Sequence, residues 1–178
     1  MTPEEAAAAL TAVPGQLDAT VADLPGAPGH IAWWVAPAVL PALGGAPHPG
    51  ADLRLLDLGT ATMLRNRVRR QDLYRTGVSR LRRVAAGLLL EELALAPTWA
   101  GDVVLPKADE ERLSAWLRAR LSLTWVPDDE REAHRTAVAA LLGPAGADSP
   151  AAHEAEQAYV AAAGEKTPRP AGVPFRRP

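Results

Sequence analysis

Pro28-Gly29-His30-Ile31-Ala32-Trp33-Trp34-Val35 and Leu53-Arg54-Leu55-Leu56-Asp57-Leu58-Gly59 are the two segments on which the fold turns. Residues 31–35 are β-prone and carry two adjacent tryptophans, which predicts a strand. Residues 37–50, rich in proline and glycine, read as a loop inserted before a second strand over 53–59. Alternation along that second strand puts Leu53, Leu55, Asp57 and Gly59 on one face and Arg54, Leu56 and Leu58 on the other. Asp57 is the anomaly. Aspartate is depleted in strands and in cores, yet this one sits among leucines.

Outward from these strands the chain reads mostly as helix. A short alanine-rich helix is expected over 4–12, and residues 24–29 form a turn-rich connector. After the second strand, Thr60 or Thr62 is placed to cap a helix running to about Gln71. A longer helix is expected over 78–95, a short strand over 99–105, and an amphipathic helix over 108–120 with Leu113, Trp116 and Leu117 as its apolar stripe. A strand over 121–126 leads through Pro127-Asp128-Asp129 into a helix over 130–142. A last helix covers 151–163. Strands without regular βαβ alternation predict an α+β domain: a small antiparallel or mixed sheet flanked by helices, with an extra C-terminal helix. The expected division is an N-terminal helical extension (1–24), the main domain (25–146), the C-terminal helix (147–163) and a proline-rich disordered tail (164–178).

At 178 residues the chain suits a single core. It has no cysteine, which removes disulfides, thiolate metal sites and cysteine nucleophiles. The acidic start is unlike a signal peptide and no apolar run spans a bilayer, so a soluble cytoplasmic protein without membrane partners is expected. Between Arg65 and Arg83 stand eight arginines against one acid, Asp72: a local charge of +7 on a chain of net −2. Such a run is either a solvated helical face or a surface for anions, nucleic acid included. Generic motifs add little. There is no phosphate-binding glycine loop, no paired-histidine helix and no serine elbow. His48, between two prolines, reads as a loop residue, and His153 as part of a solvated face.

The order of several segments carries more. Residues 28–35, then Leu55-Leu56-Asp57-Leu58-Gly59-Thr60-Ala61, then Leu64-Arg65-Asn66-Arg67-Val68-Arg69-Arg70-Gln71 together resemble the GIY-YIG nuclease domain in its actinobacterial form. That domain has Gly-x-Tyr on a first strand, Tyr-x-Gly on a second, and Leu-x-x-Arg followed by histidine on the next helix. Residues 98–126 and the helix leading to Gly143-Pro144 resemble the same group, so the similarity spans residues 25–146. The resemblance implies a site made of two tyrosines, the arginine, a metal-binding glutamate and an asparagine. Residue by residue, the first tyrosine falls on Ile31, the second on Asp57, the arginine on Arg67 and the following histidine on Gln71. The glutamate falls on His134, with Glu132 and Glu130 as the neighbouring carboxylates, and the asparagine falls on Gly146. The strand glycine is kept as Gly59.

These replacements work against phosphodiester cleavage. Ile31 supplies no base, and histidine is a poor ligand for Mg²⁺. Asp57 would meet an incoming phosphate at a cost of about 4 kcal/mol at ~4 Å and an effective dielectric near 20. Asp57 either pairs with Arg67 as a structural ion pair or takes part in a rebuilt site. In the rebuilt site Asp57, Arg67 and His134 converge as acid, fixed cation and near-neutral titrating group, with Ile31, Trp33, Gly59, Gln71 and Arg65 around them. His30 is turned to the opposite face by strand alternation. The expected function is acid–base chemistry on a small molecule bearing a carboxylate or carbonyl, as in a biosynthetic enzyme, without a metal or other cofactor. The alternatives are a pseudo-nuclease that binds nucleic acid through residues 65–83, or a divergent endonuclease using Mg²⁺ or Mn²⁺.

Overall fold

A computed structural model of the chain describes residues 1–164. The tail expected to be disordered lies, from residue 165 on, outside the described residues. Three antiparallel strands form the sheet: β1 (Gly29–Val35) runs down the middle, with β2 (Arg54–Ala61) on one side and β5 (Leu121–Pro127) on the other. The register pairs His30 with Thr60, Ile31 with Gly59 and Trp33 with Asp57, and a bulge follows between Trp33 and Trp34. The architecture is α+β, as expected, with a wholly antiparallel sheet.

Alternation along β1 sorts the core into two layers. Ile31, Trp33 and Val35 face the larger layer, closed by α4 (Arg80–Leu88), α5 (Lys107–Arg120) and α7 (Pro150–Ala162). Ala32 and Trp34 face the smaller one, closed by α1 (Pro3–Leu10) and α6 (Arg131–Leu142). The helices α4 and α7 touch backbone to backbone: a Cβ on Gly87 would lie 1.8 Å from the Ala155 carbonyl oxygen. Both proximal helix starts are capped as their sequences dictate, by Thr2 in a capping box for α1 and by Ser79 for α4.

Several elements differ from expectation. The helical extension expected over 1–24 holds a second helix besides the one read at 4–12, the six-residue α2 (Leu17–Ala22). The helix after β2 starts later than Thr60 or Thr62 would set it. Its cap residue is Met63, which offers no side-chain bond, and one α turn (α3, Leu64–Asn66) passes into a π-helical turn at Arg67–Asp72. The helix expected over 78–95 is shorter. It is preceded by a 3₁₀ turn at Thr76–Val78 and ends at Leu88, in a segment where Ala94 takes a φ of 46°. The strand expected at 99–105 is a small hairpin, β3 (Thr98–Trp99) and β4 (Val103–Val104), turning at Gly101 with φ 86°. Local propensity does not reveal these breaks, because a few capping and turn contacts decide them.

Candidate active site on the open edge of β2

The outer edge of β2 is covered only at its start. There Pro47 bridges Arg54, and the Leu55 amide donates to the Ala46 carbonyl. From Leu58 to Ala61 no further strand among the described residues pairs with it. Two cavities open along this free edge. One, of about 400 Å³, is lined by Thr60, Met63, Asn66, Arg67, Gln71 and Glu132. The other, of about 440 Å³, lies between β2 and α6 and includes His30, Gly59, Thr60 and Arg135 in its wall. Both volumes are in the range of small-molecule sites.

Arg67 enters the first cavity as a braced cation. Its Nε donates to both oxygens of Asp72, at 3.1 and 3.0 Å. Asp72 is buried, and it also accepts from the Ser79 hydroxyl at 2.8 Å and, more weakly, from the Trp33 indole at 3.4 Å. In a regular α-helix residues five apart lie about 140° apart around the axis. The π turn brings Arg67 and Asp72 onto one side, a device that recurs at functional sites. The two terminal Nη groups of Arg67 take no acceptor among the described residues, and its side chain is 29% exposed. A guanidinium held by Nε with its fork free is shaped for a carboxylate or phosphate.

Glu132, on α6, lines the same cavity, and its Oε1 accepts from the Thr60 hydroxyl at 2.9 Å and lies 3.7 Å from Arg131 Nε. Asp57 lies on the Arg67 side of the sheet, on β2 before Thr60, the first residue of that strand to line the cavity. It is partly buried and makes neither a hydrogen bond nor an ion pair with a described residue. Burial first, and then the negative charge of Asp72, push its carboxyl up to about 6; the positive charge of Arg67 opposes this without prevailing. The ion pair weighed between Asp57 and Arg67 is not formed; Arg67 turns its Nε to Asp72 instead.

His134 does not join this group. It lies on the opposite face, where its Nδ1 is 2.8 Å from Asp128 Oδ2 and its Nε2 is 3.3 Å from a Glu130 oxygen. The same Asp128 oxygen is 3.0 Å from His30 Nε2. Burial disfavours the charged Asp128. The hydrogen bonds from His134, the Glu130 amide and His30 outweigh that and hold its carboxyl below the usual range. The expected convergence of Asp57, Arg67 and His134 thus gives way to two groups, and the carboxylate that shares the Arg67 cavity is Glu132.

The remaining expected residues divide in the same way. Gln71 lines the Arg67 cavity. Gly59 lines the neighbouring one, with open space where a Cβ would stand. Ile31 is core, and Trp33 is fully buried, so it braces Asp72 and offers no face for a substrate to stack on. Arg65 ties α3 to the preceding loop through the Leu24 carbonyl at 2.8 Å. Gly146 packs against Gly44, its Cβ position 2.3 Å from a carbonyl oxygen, and no side chain fits there. His48 is buried, edge-on to Trp34 at 4.6 Å.

Most of the arginine run is structural. Arg69 binds the Val21 and Ala22 carbonyls, and Arg80 and Arg83 reach Glu156. Arg82, completely buried, pairs with Glu110 at 2.6 Å. Arg70 and Arg75 have no partner among the described residues. With Arg69 and Tyr74, which is 65% exposed, they line a shallow surface cavity. Among the described residues there is no group of three or more metal-ligating side chains, and no helix is long and apolar enough to cross a membrane. Compared with known proteins, the chain matches no family model, no curated protein and no solved structure at a significant level.

Proposed function

We propose that this chain is a divergent GIY-YIG-type domain whose site performs acid–base chemistry on a small anionic molecule, with Arg67 as its fixed cation. One observation carries the reading. Arg67 is locked by a buried carboxylate yet keeps both Nη groups free, in a cavity it shares with Glu132 and beside an unpartnered Asp57. A substrate carboxylate or phosphate docks on the free fork. The Glu132 carboxylate, oriented by Thr60, takes or returns a proton at the neighbouring carbon or oxygen. Asp57, close to half-ionised near pH 6, makes the charge around Arg67 sensitive to pH. The motif order over residues 25–146 and the adjacency of the two motif strands support the family assignment. The cavity volume favours a small molecule over a duplex.

The test is direct. The full chain is titrated with inorganic phosphate and with succinate by calorimetry, and incubated with labelled single- and double-stranded DNA with and without Mg²⁺ or Mn²⁺. Saturable binding of a small anion, weakened at least about tenfold by Arg67→Gln, is the expected result. Metal-dependent cleavage lost in both Arg67→Ala and Glu132→Gln would replace this reading with a nuclease.

A second reading rests on the free Arg70 and Arg75 beside exposed Tyr74, since basic side chains next to an aromatic suit a single-stranded nucleic acid. It requires binding that falls steeply with salt and is lost in the Arg70→Ala/Arg75→Ala double variant.

A further inference from the structure

We propose that the cavity between β2 and α6 is a second small-molecule site, for a hydroxycarboxylate with an apolar body, in which His30 Nδ1 accepts the ligand hydroxyl and Arg135 binds its carboxylate. The inference does not depend on the Arg67 reading; the two cavities share only Thr60.

His30 sits in the middle strand, paired through its backbone with Thr60 on one side and Val126 on the other, and its side chain is 1% exposed. Asp128, itself 3% exposed, holds the ring through Nε2. A carboxylate only accepts, so the shared proton lies on Nε2, and in that tautomer Nδ1 is the ring's acceptor. No described residue donates to that nitrogen. Nδ1 is the ring nitrogen left for an occupant of the cavity that His30 lines, and a ligand hydroxyl can donate to it. The cavity wall next to His30 is apolar, made by Leu58, Ala139, Ala140 and Pro144. Its remaining charges are Arg135 and Asp148. Asp148 is engaged by Arg80 at 2.7 Å, whereas Arg135 has no partner among the described residues. An oriented acceptor, an apolar wall and a free cation select an acid with a hydroxyl group and an apolar body. Asp128 acts here as a positioning residue, fixing which ring nitrogen carries the proton.

Because removing His30 would strip Asp128 of a donor and endanger the fold, the test observes the native ring. Long-range proton–nitrogen correlation spectra of the histidine-labelled full chain are recorded during titration with mandelate and with phenylacetate, which lacks the hydroxyl. Three results are expected. The free protein holds His30 as the Nε2–H form, mandelate shifts the Nδ1 resonance, and mandelate binds about tenfold tighter than phenylacetate, the worth of one hydrogen bond. Arg135→Gln weakens both acids by a similar factor and leaves the His30 resonances of the free protein in place. A proton on Nδ1, absence of binding, or equal affinity for the two acids would overturn the proposal.

Discussion

Asp128 and Asp57 lie on opposite faces of the sheet, and their surroundings treat them in opposite ways. On the α6 face Asp128 is surrounded by donors: His30, His134 and the Glu130 amide. Its ionised form is the favoured one. On the α4 face Asp57 receives no donor, lies near a second carboxylate, and is pushed up to about 6. Asp72, on that same face, is the satisfied counterpart that Arg67, Ser79 and Trp33 hold. A carboxylate that folding has fully paired is a structural member. One left unpaired in a partly buried position works against stability, and such positions are where function is to be sought.

The comparison breaks most sharply at Asp128. Asp128→Ala leaves two imidazoles without their acceptor, and we expect it to cost about 3 kcal/mol or more in urea unfolding at neutral pH. Its folded-state pKa is depressed. The stability it contributes is therefore complete above the ordinary aspartate range and is lost as pH falls through that lowered value, so the wild-type advantage over Asp128→Asn shrinks in acid.

Asp57→Asn is expected to act with the opposite sign. The folded-state value near 6 exceeds the ordinary 3.8, so the wild-type contribution is intact below 3.8 and declines as pH rises through 6. The variant should be more stable than wild type by about 1–2 kcal/mol at pH 8, after allowance for partial exposure, and equal to it at pH 4. Thermal unfolding at the two pH values checks this. Ser79→Ala removes a donor to Asp72 and the cap of α4, for a loss of about 1 kcal/mol by the same measurement. At the small end, Arg70→Ala and Arg75→Ala should each change stability by less than about 0.5 kcal/mol, because neither side chain has a partner to lose. A larger loss would show that the basic patch serves the fold.

Much of the sheet was legible in the sequence. Residues 31–35, 53–59 and 121–126 lie within or overlap the three observed strands, but the bulge breaks the alternation read along 53–59: Leu55 joins Trp34 in the smaller layer, whereas Asp57 pairs with Trp33 on the side of the larger one. The helices expected over 108–120, from its apolar stripe, over 130–142, from the acids in its first turn, and over 151–163 are observed at 107–120, 131–142 and 150–162. The site was legible only in part. Arg67 and Gln71 share a cavity as read. The pairing of Arg67 with Asp72 depends on a π turn that no propensity signals, although Asp72, the single acid in an arginine run, was a usable hint. His30 was set aside because alternation turns it from Ile31. That is correct, and it is also what brings it to Asp128 and His134. Choosing between His134 and Glu132 required the helix to be rotated correctly on the sheet, and rotation is set by packing, not by sequence spacing.

The most direct test of the account is a carbon-13 NMR titration of the Asp57 side-chain carboxyl in the full chain. The account predicts a midpoint near pH 6, moving upward in Arg67→Gln as the opposing charge is removed. A midpoint at or below 3.8, unmoved by that substitution, would contradict it and leave Asp57 an ordinary surface carboxylate.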